Sequence, residues 1–156
     1  MLRVSKLTDY ATVVLTHIAH QPEELHAASD ITYATGVALP TVSKVLKLLS
    51  KANILTSQRG SKGGYLLANK PEEIDVAKVI TAIEGPIAMT ECATHNGACE
   101  QESLCEIKGN WNMINKAVYT ALEAVTLADM VAPTRQQAVA VSMPMKAQEN
   151  DLKVEN

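Results

Sequence analysis

A mainly α-helical fold with one small β-hairpin is predicted: a winged helix-turn-helix domain followed by a long C-terminal helix. Three observations predict it. Before residue 52 there are three stretches with apolar residues at helical spacing. Two β-like runs then flank a glycine-rich turn. From about Ile107 helical periodicity resumes and is sustained.

The first helix is read from Thr8 to His20, with Ala11, Val14, Leu15 and Ile18 inward and Thr8 as N-cap; Gln21-Pro22 ends it. The second runs from about Ala28 to Thr35, with Ile31 and Ala34 inward and Gly36 as its stop. The third starts at Pro40, a residue suited to a first turn. Val42, Val45, Leu46 and Leu49 form its apolar stripe, and Thr41, Ser43, Lys44, Lys47 and Lys51 face outward. Ile54–Gln58 and Tyr65–Leu67 are the two strands, joined through Arg59-Gly-Ser-Lys-Gly-Gly64. Asp75 caps a fourth helix with Val76, Val79, Ile80 and Ile83 on its face, stopped by Gly85-Pro86. Residues 90–106 are polar and cysteine-bearing and read as a loop. Trp111, Ile114, Val118, Leu122 and Val125 mark the long helix, and Thr126–Val131 a last short turn. The expected division is therefore 1–85 (winged helix), 86–106 (cysteine loop), 107–132 (the long helix and a short one) and 133–156 (a tail without sustained pattern, read as disordered).

The chain has 156 residues and is 47% hydrophobic, enough for one domain and an appendage. It has no Phe and one Trp, so the core must be aliphatic. No apolar run approaches the roughly 20 residues of a membrane helix. The N-terminus lacks the apolar segment and cleavage site of a signal peptide, so a cytoplasmic protein with no membrane association is expected.

Net charge is −3, yet Ile31 to Pro71 holds six bases (Lys44, Lys47, Lys51, Arg59, Lys62, Lys70) and no acid. That window carries +6 and leaves −9 for the rest. Such a block can be a solvated helix face, or the electrostatic footprint of a nucleic-acid surface. Laid over three short helices and a hairpin, it favours DNA. Helix three would enter the major groove, with Pro40, Thr41, Ser43 and Lys44 at its leading end. Lys47, Lys51 and Lys70 suit phosphates, which position a protein without reading sequence. Arg59, Ser61 and Lys62 belong to the wing, whose glycines sit where backbone must approach something closely. An ordinary hairpin turn would also hold glycines.

Cys92, Cys99 and Cys105 are odd in number and close together, which speaks against a disulfide framework. Their neighbours are polar, so packing as small hydrophobes is a poor account. Three thiolates suit a soft site, and iron–sulfur clusters are held mainly by thiolates. Zinc accepts three cysteines and a histidine, and His95 is near, but the spacing is wider than the tight pairs of structural zinc sites. The fourth ligand would be a histidine, a carboxylate, a small-molecule thiolate or nothing.

Leu7-Thr-Asp-Tyr10, the wing Arg59-Gly-Ser-Lys-Gly-Gly-Tyr65, Val76-Ala-Lys-Val-Ile80, the three spaced cysteines and Thr126-Leu-Ala-Asp129 resemble, in that order, the iron–sulfur transcription regulators of the IscR and NsrR type. The resemblance covers about residues 1–132. Leu39-Pro-Thr-Val-Ser-Lys44, Gly85-Pro-Ile-Ala-Met-Thr-Glu-Cys92 and Gly109-Asn-Trp111 look most like the branch regulating sulfur-mobilisation (SUF) assembly operons. It implies a homodimer formed through about Ile107 to Ala124, bound to double-stranded promoter DNA through helix three and the wing. It implies a cluster, [2Fe-2S] or [4Fe-4S], on Cys92, Cys99 and Cys105, whose loss alters promoter affinity. One position departs: where IscR-type members carry a ligand histidine three residues after the last cysteine, this chain has Lys108. NsrR-type members can use an aspartate of the partner subunit near its N-terminus, and Asp9 matches that position. Asp9 is equally what an ordinary helix first turn favours; Glu100, Glu102, Glu106 and His95 are the remaining candidates.

The reading is thus a regulator, expected to repress, that senses cluster status. A nitric-oxide or iron-responsive repressor of the same fold, and a zinc or thiol redox sensor, are the nearest alternatives. A thiol oxidoreductase would want a C-x-x-C pair, which the sequence lacks, so no enzymatic activity is expected. A metal-binding module without DNA would leave the basic window unexplained.

Overall fold

Helix α1 (Lys6–Ala19) runs through the middle of the computed structural model, which describes residues 3–60, 62–90, 105 and 107–132, Lys108 through its backbone alone. Readings that fall on Ser61, Cys92, His95, Cys99, Glu100, Glu102, Glu106 and residues 133–156 lie outside them. Ala11, Val14, Leu15 and Ile18 are fully buried on one face of α1. The start of the helix corrects the sequence reading. Ser5 is the N-cap, its Oγ accepting from the Thr8 backbone N–H at 3.2 Å, while Thr8 is buried in the first turn. Two hydroxyl residues three apart compete for the cap. Leu7 already packs against the core, so the helix has begun before Thr8.

Helix α2 (Ala28–Thr35) ends at Gly36, whose φ of 72° is left-handed and whose N–H reaches the Thr32 carbonyl at 3.0 Å. Ala34 is exposed rather than inward: Ala28, Ile31 and Thr35 make the inner line of this short helix. Helix α3 (Leu39–Lys51) starts one residue early, with Pro40 second, where a missing N–H costs nothing. Val42, Val45, Leu46 and Leu49 are all fully buried against α1 and α2. Each such side chain contributes about 1.5–3 kcal/mol by leaving water.

Strands β1 (Leu55–Gln58) and β2 (Gly64–Leu67) pair antiparallel, Leu55 opposite Leu67 and Gln58 opposite Gly64. The first strand begins after Ile54, which is buried ahead of it. A third backbone joins the hairpin: His26 and Tyr65 exchange two hydrogen bonds of 2.9 Å. No local pattern marks this bridge, because one residue of pairing leaves no periodicity.

A 3₁₀ turn (Pro71–Glu73) leads to α4 (Val76–Glu84), where Asp75 Oδ1 accepts the Lys78 N–H at 2.8 Å. Its buried residues are Ala77 and Val79; Val76, Ile80 and Ile83 are half-buried, so the inner face is rotated from the one read in sequence. Helix α5 (Lys108–Glu123) lies along α4, with Ile107 and Ala124 as its caps. The chain then returns to the core. Val76 N–H donates to the Val125 carbonyl and Leu127 N–H to that of Ile74, at 2.9 and 2.7 Å. Thr126 caps α6 (Leu127–Val131), Leu127 is buried, and the hydroxyl and N–H of Thr126 both donate to the Asp129 carboxylate. Among the described residues no helix is long and apolar enough to cross a membrane.

Candidate DNA interface and sensor site

Helix α3 is held by its buried stripe, which fixes what its other faces present. Pro40, Lys44, Lys47 and Lys51 are exposed; Thr41 and Ser43 are half-buried, not fully outward as the pattern suggested. The turn before them is short, because Gly36 stops α2 in one left-handed residue and Val37 plugs into the core. Arg59 and Lys62 are exposed beyond the strand ends. Among the described residues the ion pair present is Lys78–Asp75 at 3.1 Å, so the bases of α3 and the wing keep their charge unpaired. Exposed cations without an acidic partner are what phosphate binding requires.

The wing glycines have a structural explanation. Gly60 has φ 129°, a conformation side chains rarely adopt. A Cβ on Gly63 would run into the Gln58 carbonyl oxygen, and one on Gly64 would meet His26 backbone atoms at 2.9–3.2 Å. The close approach is thus to the protein's own backbone, at the tip and root of the hairpin. At that root His17 and His26 stand edge to face, 5.4 Å between ring centroids. His26 is buried, and its Nε2 donates to the Gln21 carbonyl at 3.0 Å. Burial first, then the charges of His26 and His20, lower the pKa of His17.

Asp9 is exposed on the first turn of α1. With Tyr10 and Val13 it forms one wall of a groove of about 400 Å³, whose other wall is Thr35, Gly36, Val37, Ala38 and Thr41. The candidate cluster ligand and the leading end of the candidate recognition helix therefore border one groove, which sequence separation hides. A larger groove of about 670 Å³, lined by Asn53, Asn69, Lys78, Thr81 and Tyr119 among others, holds none of the predicted site residues. Cys105 has a free, half-buried thiol three residues ahead of α5. Among the described residues no cluster of three or more metal-binding side chains forms within the chain.

Two residues that carried no motif join these parts. Glu84, the last residue of α4, accepts the Ser5 N–H at 2.8 Å and the Thr8 hydroxyl, both on one carboxylate oxygen. Those two bonds, Thr8's first, hold its pKa below the ordinary value. Asn115 of α5 accepts the Met89 N–H at 3.0 Å and donates to the Ile87 carbonyl at 3.2 Å. Neither lies in a pattern a sequence could reveal, since their partners are 26 to 79 positions away.

Residues 4–133 match the family model Rrf2, described as an iron-dependent transcriptional regulator. The protein rrf2 of Nitratidesulfovibrio vulgaris is 34% identical over 131 residues, covering 83% of this chain and 87% of its own. NsrR of Geobacillus kaustophilus is 30% identical (83% and 90% covered), and IscR of Aliivibrio salmonicida 28% (83% and 77%). Among solved structures, T. potens IscR superposes with a TM-score of 0.64 at 27% identity, covering 88% of this chain and 93% of that one. CymR, the global cysteine regulator of B. subtilis, gives 0.67 at 24% (86% and 100% covered), a likeness of fold.

Proposed function

Because the chain belongs to the Rrf2 family of transcription regulators, we propose that it is a cytoplasmic, homodimeric repressor that senses iron–sulfur cluster status and controls SUF-type assembly genes. The observation that carries this reading is the groove in which Asp9 faces the helix-turn-helix turn and Thr41. A ligand bound at Asp9 would act beside the leading end of α3.

The donors within the described residues suit such a group. The Cys105 thiol is free, and the Asp9 carboxylate is exposed and takes no side-chain hydrogen bond or ion pair among the described residues. In this reading Cys92, Cys99 and Cys105 of one subunit hold the cluster with Asp9 of the other. When bound, such a cluster would supply a centre sensitive to oxidant and nitric oxide. Pro40, Thr41, Ser43 and Lys44 meet base edges and phosphates, and Lys47, Arg59, Ser61 and Lys62 fix the register on the duplex. The exposed apolar side chains of α5 (Met113, Ile114 and Tyr119, with Ile107 at its cap) support a dimer formed along 107–124. The dimer conformation that ligates through Asp9 is populated while cluster supply lasts, and promoter occupancy shifts when supply fails.

Anaerobic purification with visible absorption, iron and acid-labile sulfide assays tests this. Charge-transfer bands with matched iron and sulfide are expected, and Asp9→Ala should weaken them. A colourless protein after anaerobic reconstitution, or one holding zinc, would overturn the cluster reading and leave a regulator whose thiols sense metal or redox state directly.

A further inference from the structure

We propose that Glu84 is a positioning residue through which the root of the cysteine loop is mechanically joined to the first turn of α1. The proposal rests on the cluster-sensor reading above. Three observations carry it. First, Glu84 is the final residue of α4, and Gly85, with φ 93°, turns the chain out of the helix into residues 86–90, which precede Cys92 in the sequence. Second, its carboxylate spans to the other end of the sequence, taking the Ser5 N–H and the Thr8 hydroxyl, the cap and first turn of α1. Asp9 follows directly, its own N–H bonded to the Ser5 carbonyl at 3.2 Å. Third, the backbone just beyond Glu84 is itself tied to α5, because Asn115 bonds to both Ile87 and Met89.

The root of the loop therefore moves with α5, and Glu84 hands that movement to the turn that carries Asp9 and borders the groove at Thr41. Coupling between sites needs an element with two arrangements that both sites bias, and this brace is a contact between the root of the loop and α1. In a dimer where Asp9 completes the partner's cluster, the same brace ties each subunit's cysteine loop to the ligand it lends across. Ligation at one site then favours ligation at the other.

Glu84 is exposed, so removing it should leave the fold intact, and Gln keeps an oxygen able to accept both bonds. The experiment compares wild type, Glu84→Ala and Glu84→Gln as full-length dimers. The probe is a fluorescent duplex selected from random DNA by the wild-type protein. Affinity is measured for the anaerobically reconstituted and the chelator-stripped protein, alongside the melting temperature of each stripped form. For wild type, the affinities with and without cluster should differ within the roughly 5–150-fold range of coupled sites. Glu84→Ala should bring that ratio within about threefold of one, with the stripped protein's DNA affinity and melting temperature unchanged, and Glu84→Gln should restore it. A wild-type ratio that Glu84→Ala leaves intact overturns the brace alone. A wild-type protein that binds a cluster but shows a ratio of one overturns both the brace and the sensing function.

Discussion

Helices α3 and α5 carry the same kind of signal, an apolar residue every three or four positions, and meet opposite surroundings. In α3 the four stripe residues are fully buried by α1, α2 and their neighbours. In α5 no described residue is buried; Trp111, Val118 and Leu122 are half-covered, and Met113 and Ile114 are 67% and 41% exposed. Periodicity states that a face wants covering and says nothing of what covers it. For α3 the cover lies within the chain, for α5 only in part, along α4.

The largest expected effect separates the two helices directly. Leu46→Ala should cost about 2–5 kcal/mol of unfolding free energy, because a fully packed side chain leaves a cavity. Ile114→Ala in dilute protein should stay within about 0.5 kcal/mol, as surface changes do, while Ile114→Asp should shift the proposed dimer toward monomer in sedimentation. Equal losses of stability in denaturant titrations of both Ala variants would break the contrast.

The wing root should behave like α3, although it looks like surface. Gly64→Ala forces a methyl against the His26 backbone and is expected to cost about 1–3 kcal/mol, as overpacking does. An unchanged thermal melt would show that the bridge yields without cost. The wing tip should behave oppositely: Arg59→Ala should leave stability unchanged and lower the salt slope of DNA binding by about 0.9 log units per log salt. An unchanged slope in fluorescence anisotropy would remove Arg59 from the phosphate contacts.

The smallest effect concerns His17. Its pKa is lowered by burial and by His26 and His20, so the unfolded chain binds its proton more readily than the folded one. Stability is therefore level above the ordinary imidazole value of 6.5 and declines as pH falls below it. Melting temperature should be lower at about pH 5.5 than at about pH 7.5, and His17→Gln should flatten that slope. A slope unaltered by the substitution would assign it to other groups.

Most of the helices and the hairpin were legible because their signals are local. Gly36 and Asp75 act on residues within one turn, and the α3 stripe repeats inside thirteen residues. The errors fell where two local signals compete, as at Ser5 and Thr8, or where a helix is too short for its phase to be read, as at Ala34. The candidate site divided the same way. Lys44, Lys47, Arg59 and Lys62 stood out as bases in an acid-free window and are exposed. Glu84, Asn115 and the His26–Tyr65 bridge did not, since a side chain that bonds across dozens of positions leaves no spacing in the sequence.

Neighbouring residues alone dictate which segments are helical, where the basic window lies and which residues are soft or acidic donors. Periodicity, composition and turn chemistry act between neighbours and need no long-range information. Tertiary structure alone decided that Asp9 borders the same groove as Thr41, that the wing glycines serve the protein's own backbone, and that Glu84 closes the chain's beginning onto the root of its cysteine loop. Those are distances between residues far apart in sequence, and packing of the apolar faces fixes them.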